Sequence, residues 1–124
     1  MRSTFRVNWV LIDEILLGNA PKEEKDLKLL KDKGIKSVFS LCSSKEIEFV
    51  DSLKNYFLWD QVILPDHSYE KEIKINDVNT ALEKLSNLKK KGPVFIHCVA
   101  AVERSPLICM AWLIKYKKMR PIAA

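Results

Sequence analysis

The stretch VFIHCVAAVERSP, residues 94–106, is typical of a short buried strand that runs into a tight turn and then into a helix. Its first three side chains are β-branched or aromatic, and Gly92-Pro93 marks the start of the strand. Pro106 suits the first turn of a helix, where its missing N–H costs nothing. Cys98 therefore lies at a strand-to-helix junction, with Arg104 six residues further along.

Strands and helices alternate along the rest of the chain. Apolar runs predict strands at residues 5–11, 15–17, 36–41, 57–64 and 94–97. Periodicity and capping residues predict helices at residues 22–33, from Ser43 or Ser44 to 53, from Asn76 or Asp77 to the Gly92-Pro93 break, and from 105 to about 118. This alternation predicts an α/β fold with a mostly parallel central sheet flanked by helices on both faces. Sites in such sheets form at the carboxyl ends of strands, and Cys98 lies at one of them.

The composition predicts a single globular domain over residues 1–124. The chain is 48% hydrophobic and 30% charged, which supplies enough apolar material for a core. No apolar run approaches the roughly 18 residues of a membrane span, and the N-terminus lacks the apolar segment of a signal peptide. We therefore expect a cytoplasmic, monomeric protein that does not bind a membrane.

The three cysteines argue against two kinds of site. Their odd number and unpaired spacing speak against a secreted disulfide framework and for a reducing compartment. With only two histidines and no C-x2-C pair, a structural zinc site is not expected either. The sequence thus predicts no bound metal.

The positive charge favours an anionic partner. The formal net charge is +5, but most lysines are spread along the predicted helices, and no basic cluster with interleaved aromatic residues suggests nucleic-acid binding. Arg104 is the only arginine between Arg6 and Arg120. This pattern indicates that the position requires a guanidinium and not merely a positive charge.

The turn after the strand can hold an anion. Successive backbone N–H groups and the positive end of the helix dipole converge there, and they would stabilise a Cys98 thiolate. Arg104 can grip two oxygens of a phosphoryl group in a planar fork. Taken alone, Cys98 is compatible with an inert buried cysteine and His97 with a core histidine, but their occurrence together with Arg104 favours an active site.

The segment HCVAAVERSP resembles the H-C-x5-R-[S/T] signature of the cysteine-dependent protein tyrosine phosphatase superfamily, and the chain's size is similar to that of its small dual-specificity branch. The resemblance implies the protein tyrosine phosphatase-like fold and a nucleophile, Cys98, that forms a phosphocysteine without metal or cofactor. It implies that Arg104 binds the phosphate and that Ser105 assists breakdown of the intermediate. The implied phosphate-binding loop comprises His97, Val99, Ala100, Ala101, Val102, Glu103 and Arg104.

The resemblance also requires a general acid on a separate loop. Asp66 in LPDHS matches, because it follows a predicted strand and lies 32 residues before Cys98, a spacing similar to that of dual-specificity phosphatases. The alternative for Asp66 is a turn residue beside a proline. Asp60 is the weaker candidate acid, since it falls inside the preceding strand pattern.

Two departures concern the loop and the end of the chain. The family usually carries glycine three residues after the cysteine, and if that position needs a positive φ, Ala101 costs on the order of 1 kcal/mol. The final MRPIAA resembles the first turn of a further helix that similar phosphatases possess, so this domain is expected to lack that helix.

The loop residues also narrow the substrate. Positions 99–103 carry no lysine and one glutamate, whereas phosphoinositide-directed relatives tend to place lysines there. A second phosphate in the pocket would therefore have no lysine of this loop to bind it. A protein carrying phosphotyrosine, with or without phosphoserine and phosphothreonine, is therefore the expected partner.

The other two cysteines have different expected roles. Cys42 ends a predicted strand, and in some family members a cysteine at the similar position forms a disulfide with the oxidised nucleophile, so Cys42 is a candidate redox partner of Cys98. A plain buried cysteine is the equal alternative for Cys42. Cys109 lies in the apolar helix segment LICMAWL and is expected in the core.

Two other functions compete with a phosphatase. A rhodanese-like enzyme can also carry glutamate before arginine, as Glu103 precedes Arg104, but it predicts no acid at Asp66. A catalytically inactive phosphate-binding module is suggested by Ala101 and predicts binding of a phosphopeptide without turnover.

Overall fold

The computed structural model describes residues 5–42, 53–63, 75–98 and 104–116. At residues 104 and 105 it describes the backbone but not the side chains. Five strands lie within these ranges: β1 (Val7–Leu11), β2 (Ile15–Gly18), β3 (Ser37–Ser40), β4 (Leu58–Gln61) and β5 (Val94–His97). Four helices accompany them: α1 (Glu24–Asp32), α2 (Leu53–Tyr56), α3 (Ile75–Lys89) and α4 (Arg104–Tyr116).

The five strands form one sheet in the order β1-β2-β5-β3-β4. β5 pairs in parallel with β2 on one side and with β3 on the other, and β4 extends the parallel part beyond β3. Only the edge strand β1 is antiparallel, to β2. The predicted mostly parallel sheet is therefore confirmed, and the strand of the signature segment lies at its centre.

Helices cover both faces of the sheet, as predicted, and each face has its own apolar cluster. α3 and α4 bury Leu85 and Ile108 against one face, together with Ile96 of β5. α1 and α2 bury Leu27 and Leu53 against the opposite face. Because side chains alternate along a strand, neighbouring residues of β5 point into different clusters.

The ends of α1 show why this segment is helical. The Asp26 carboxylate is buried and accepts hydrogen bonds at 2.8 and 3.1 Å from the backbone N–H groups of Lys22, which precedes the helix, and of the N-cap Glu23, whose donor the helix leaves free. Gly34 follows the helix at φ +84°, a left-handed conformation that glycine adopts without strain. The predicted stop at Gly34 is confirmed.

Most predicted bounds lie within one or two residues of the observed ones, and two predicted elements differ more. The strand predicted at 57–64 is shorter: β4 ends with Gln61, and among the described strands it is an edge strand that pairs only with β3. The helix predicted from Ser43 or Ser44 was expected to end at Leu53, whereas α2 begins at Leu53 and continues to Tyr56; the rest of the predicted helix lies outside the described residues.

Candidate active site

Cys98 directly follows β5, at the carboxyl end of the central strand. Its side chain is 2% exposed and belongs to the apolar cluster under α3 and α4. The strand runs in parallel with both of its neighbours, so its carboxyl end opens at the edge of the sheet where sites form in α/β proteins. Cys98, the predicted nucleophile, therefore lies at the carboxyl end of a parallel strand, as the sequence analysis predicts.

α4 begins at Arg104, six residues after Cys98. A helix of 13 residues carries a partial positive charge at its N-terminus, which favours an anion there. Arg104 and Ser105 form the first turn of this helix, while their side chains lie outside the described residues. Their predicted roles in phosphate binding and in breakdown of the intermediate stay predictions.

Cys109 shows that the second turn of α4 packs near Cys98. Both cysteines belong to the same apolar cluster, and Cys109 is 3% exposed. Burial, and secondarily the negative charge of Cys98, raises the pKa of Cys109 from 9.0 to about 12. Cys109 is thus a neutral thiol in the core, as predicted.

His97 connects the end of β5 to its neighbours. The imidazole is fully buried, its Nδ1 lies 3.2 Å from the Cys98 carbonyl oxygen, and its Nε2 lies 2.6 Å from Ser40 Oγ. The ring also stacks on Phe95, with ring centroids 5.7 Å apart. A ring held on all these sides is suited to orient the backbone at Cys98 rather than to exchange protons with solvent.

Cys42 lies near the same edge of the sheet, two residues after β3. Ser40 pairs with His97 in the register of β3 and β5, so Cys42 and Cys98 follow neighbouring parallel strands. Both thiols are buried, and neither is part of a disulfide. The predicted redox partnership between them stays a prediction.

Asp60, the weaker candidate acid, lies in β4 and contacts a cation. Its Oδ1 accepts a hydrogen bond from Lys84 Nζ at 3.0 Å and another from the backbone N–H of Gln61 at 2.7 Å. The carboxylate is therefore engaged in an ion pair between β4 and α3. This ion pair accounts for an acidic residue at position 60 without a role in catalysis.

Several predicted site residues lie outside the described residues. These are the candidate acid, Asp66, and the loop positions Val99, Ala100, Ala101, Val102 and Glu103. Among the described residues, no group of three or more histidine, cysteine and acidic side chains is arranged to hold a metal ion. The same residues contain no helix that is both long and apolar enough to span a membrane.

Three polar residues near the site were missed by the sequence analysis. Ser40 and Trp59 extend the contacts of His97, because Trp59 Nε1 donates to Ser40 Oγ at 2.9 Å. Gln61 Nε2 donates to the Cys42 carbonyl oxygen at 2.7 Å. The only local signal for Ser40 was a polar residue between apolar neighbours in a predicted buried strand.

Comparison with known proteins agrees with this arrangement. The family model of the dual specificity phosphatase catalytic domain matches residues 15–124, which is most of the chain. The match favours this family over that of the rhodanese-like enzymes.

Individual relatives point in the same direction. The chain is 30% identical to a phosphatidylglycerophosphate phosphatase of Arabidopsis thaliana (PTPMT2), covering 100% of this chain and 54% of the relative. It is 27% identical to a probable dual specificity protein phosphatase of Dictyostelium discoideum, covering 86% of this chain and 36% of that one. The chain thus spans about half or less of the length of these curated relatives.

The fold is also that of solved phosphatase structures. Kinase associated phosphatase, carrying a serine in place of its catalytic cysteine, superposes with a TM-score of 0.71 at 19% identity, over 92% of this chain and 75% of that chain. Fold, site position and family match agree, and the chain belongs to the dual specificity phosphatase family within the cysteine-dependent protein tyrosine phosphatase superfamily.

Proposed function

We propose that the protein is a metal-independent phosphomonoesterase with Cys98 as its nucleophile. The observation that supports this best is the position of Cys98, at the carboxyl end of the central parallel strand and shortly before the N-terminus of α4. Backbone N–H groups and the helix dipole favour both a thiolate and a phosphate at such a position.

The reaction has two steps. The Cys98 thiolate attacks phosphorus and forms an S–P bond while the ester P–O bond breaks, and protonated Asp66 gives its proton to the leaving oxygen. A water molecule then attacks phosphorus, its proton passes to the Asp66 carboxylate, and the S–P electron pair returns to Cys98. Arg104 holds the phosphoryl oxygens in both steps, and Ser105 donates a hydrogen bond to the departing sulfur.

The substrate that the sequence favours is a protein carrying phosphotyrosine. The loop from 99 to 103 has no lysine and one glutamate, so it offers little to a second phosphate beside the one that reacts. A phosphotyrosine side chain carries a single phosphate on a flat apolar ring, so it needs no further positive charge from the loop.

The relatives support a second candidate, phosphatidylglycerophosphate. Two Arabidopsis thaliana phosphatidylglycerophosphate phosphatases, at 30% and 26% identity, align with this chain over its whole length. This lipid has one terminal phosphomonoester, and its other phosphate is a diester on the far side of a glycerol. The loop charge therefore speaks against polyphosphorylated inositols without excluding this lipid.

Hydrolysis of an aryl phosphate in the presence of EDTA tests the chemistry. We expect turnover that survives the chelator, disappears in Cys98→Ser, and falls by about 10²- to 10⁴-fold in Asp66→Asn. Cys109→Ser is the matched control, because it makes the same substitution at a second buried thiol, which its raised pKa keeps neutral. Equal activity of Cys98→Ser and wild type would disprove the proposal.

Two further measurements separate the alternatives. Phosphate release from a phosphotyrosine peptide and from phosphatidylglycerophosphate in detergent micelles compares kcat/KM for the two substrate classes. If the wild type binds phosphate but hydrolyses neither substrate, and Ala101→Gly does not hydrolyse them either, the protein is a phosphate-binding module instead.

A further inference from the structure

Three side chains from three neighbouring strands form one hydrogen-bonded chain. Trp59 of β4 donates from Nε1 to Ser40 Oγ of β3 at 2.9 Å, and Ser40 Oγ lies 2.6 Å from Nε2 of His97 in β5. The other ring nitrogen, Nδ1, lies 3.2 Å from the carbonyl oxygen of Cys98. The chain of contacts therefore ends on the backbone of the proposed nucleophile.

Elementary hydrogen-bond chemistry sets the direction of each contact. A carbonyl oxygen only accepts, so His97 Nδ1 must carry a proton and donate it to the Cys98 oxygen. In a neutral imidazole, Nε2 is then the acceptor. The indole N–H of Trp59 only donates, so the Ser40 hydroxyl accepts from Trp59 and directs its own proton to His97.

The hydrogen-bonded side chains of Trp59, Ser40 and His97 lie on the opposite face of the sheet from the Cys98 side chain. His97 stacks on Phe95, which belongs to the apolar cluster under α1 and α2, whereas Cys98 belongs to the cluster under α3 and α4. Ser40 and His97 are both fully buried. These contacts thus act on the backbone of Cys98 and need not touch its thiol.

We infer that Ser40 and Trp59 are positioning residues, which hold His97 in its Nδ1–H tautomer and so fix the carbonyl of Cys98 at the start of the phosphate-binding turn. The opposite tautomer would set two acceptors, Nδ1 and the Cys98 oxygen, against each other in a buried place, which is costly. The inferred effect on reaction rate rests on the proposed phosphatase function, whereas the inferred tautomer does not.

Nitrogen-15 NMR of the histidine rings tests the tautomer directly. The chain has only two histidines, so a His67→Gln variant assigns the His97 signals. At neutral pH we expect Nδ1 of His97 to show the shift of a protonated nitrogen and Nε2 that of an unprotonated one. A proton on Nε2, alone or in addition to that on Nδ1, would overturn the inference.

The variants Ser40→Ala and Ser37→Ala test the role of the hydroxyl. Both serines lie fully buried in β3, but Ser37 Oγ has no hydrogen-bond partner among the described residues, so Ser37→Ala is the matched control. We expect the proton to stay on Nδ1 in Ser40→Ala, because the Cys98 carbonyl still faces it, while the Nε2 shift moves to that of a nitrogen that accepts no hydrogen bond. With the ring less firmly held, kcat should fall about tenfold with little change in KM, as for one lost buried hydrogen bond. Ser40→Ala spectra and kinetics equal to those of Ser37→Ala would refute the role.

Trp59→Phe keeps the test informative if Ser40→Ala does not fold. The ring of Trp59 is only partly buried, so phenylalanine retains most of its packing while removing the N–H that orients Ser40. We expect the same direction of change as in Ser40→Ala, with a smaller loss of kcat. Unchanged nitrogen shifts and kcat in Trp59→Phe would count against the inference.

The two proposals fail in different ways. If the wild type hydrolyses no phosphomonoester, the proposed function is wrong, while the nitrogen shifts of the wild type and of Ser40→Ala still decide the tautomer. If the wild type is active and the shifts place the proton on Nε2, the phosphatase proposal stands and the positioning inference is wrong.

Discussion

The backbone N–H of Leu41 donates to the carbonyl oxygen of His97 at 2.9 Å. This hydrogen bond continues the pairing of β3 and β5 to the last residues before Cys42 and Cys98. The two cysteines therefore follow strands that are held side by side, although they are 56 positions apart in the sequence.

Mild peroxide should link Cys42 to Cys98. Peroxide oxidises the Cys98 thiolate to a sulfenic acid, and attack by the Cys42 thiol forms the disulfide with release of water. Peptide mass spectrometry should find the Cys42–Cys98 pair, and a thiol reductant should restore activity. In Cys42→Ser we expect irreversible sulfinic acid at Cys98 instead.

The same mapping can contradict this prediction. Over-oxidised Cys98 beside a free Cys42 would exclude the protective role. A Cys98–Cys109 pair would also exclude it, and we expect none, because Cys109 stays protonated with its pKa at about 12.

Stability should fall at high pH because of Cys109. The pKa of Cys109 is about 12 in the folded protein against an ordinary 9.0, so the folded state holds its proton more tightly. This contribution is complete below about pH 9 and is lost as the pH rises towards about 12. Between about pH 8 and pH 10.5, the free energy of unfolding should fall by about 2 kcal/mol more in the wild type than in Cys109→Ala.

Urea denaturation of both proteins at the two pH values measures this difference. The cavity left by Cys109→Ala has the same cost at both pH values, so it cancels in the comparison. Parallel pH dependence of the wild type and the variant would contradict the prediction.

The two candidate acids should respond differently to the same substitution. Asp60→Asn removes an ion pair with Lys84 in which both side chains are 37% exposed, so the free energy of unfolding should fall by less than about 1 kcal/mol. Most aryl phosphatase activity should remain, in contrast to the loss in Asp66→Asn. A large loss of kcat in Asp60→Asn with Asp66→Asn unaffected would reverse the assignment.

Two glycines with positive φ should differ in their tolerance of alanine. At Gly34, φ is +84° and an added Cβ meets no atom within 4 Å, so Gly34→Ala should cost about 1 kcal/mol from backbone strain alone. At Gly92, φ is +135° and a Cβ would lie 2.6 Å from Cγ of Lys36, so Gly92→Ala should cost more. Urea denaturation checks the order, and a smaller loss at Gly92 would contradict it.

Local signals predicted most of the elements. The strand before Cys98, the parallel alternation and the helix stop at Gly34 depend on side-chain periodicity and on glycine and proline, which act within a few residues. Predictions were less accurate for β4, where Asp60 and Gln61 interrupt the apolar pattern and edge position shortens the strand.

The sequence by itself determined that a cysteine lies at a strand-to-helix junction with an arginine six residues later, because both features are encoded in one short segment. Only the tertiary structure decided that β5 lies between β2 and β3, and hence which residues border Cys98. Ser40 and His97 are 57 residues apart in the chain and 2.6 Å apart in the fold. Such a contact depends on the order of the strands, which is set by the packing of the whole sheet and not by any local pattern.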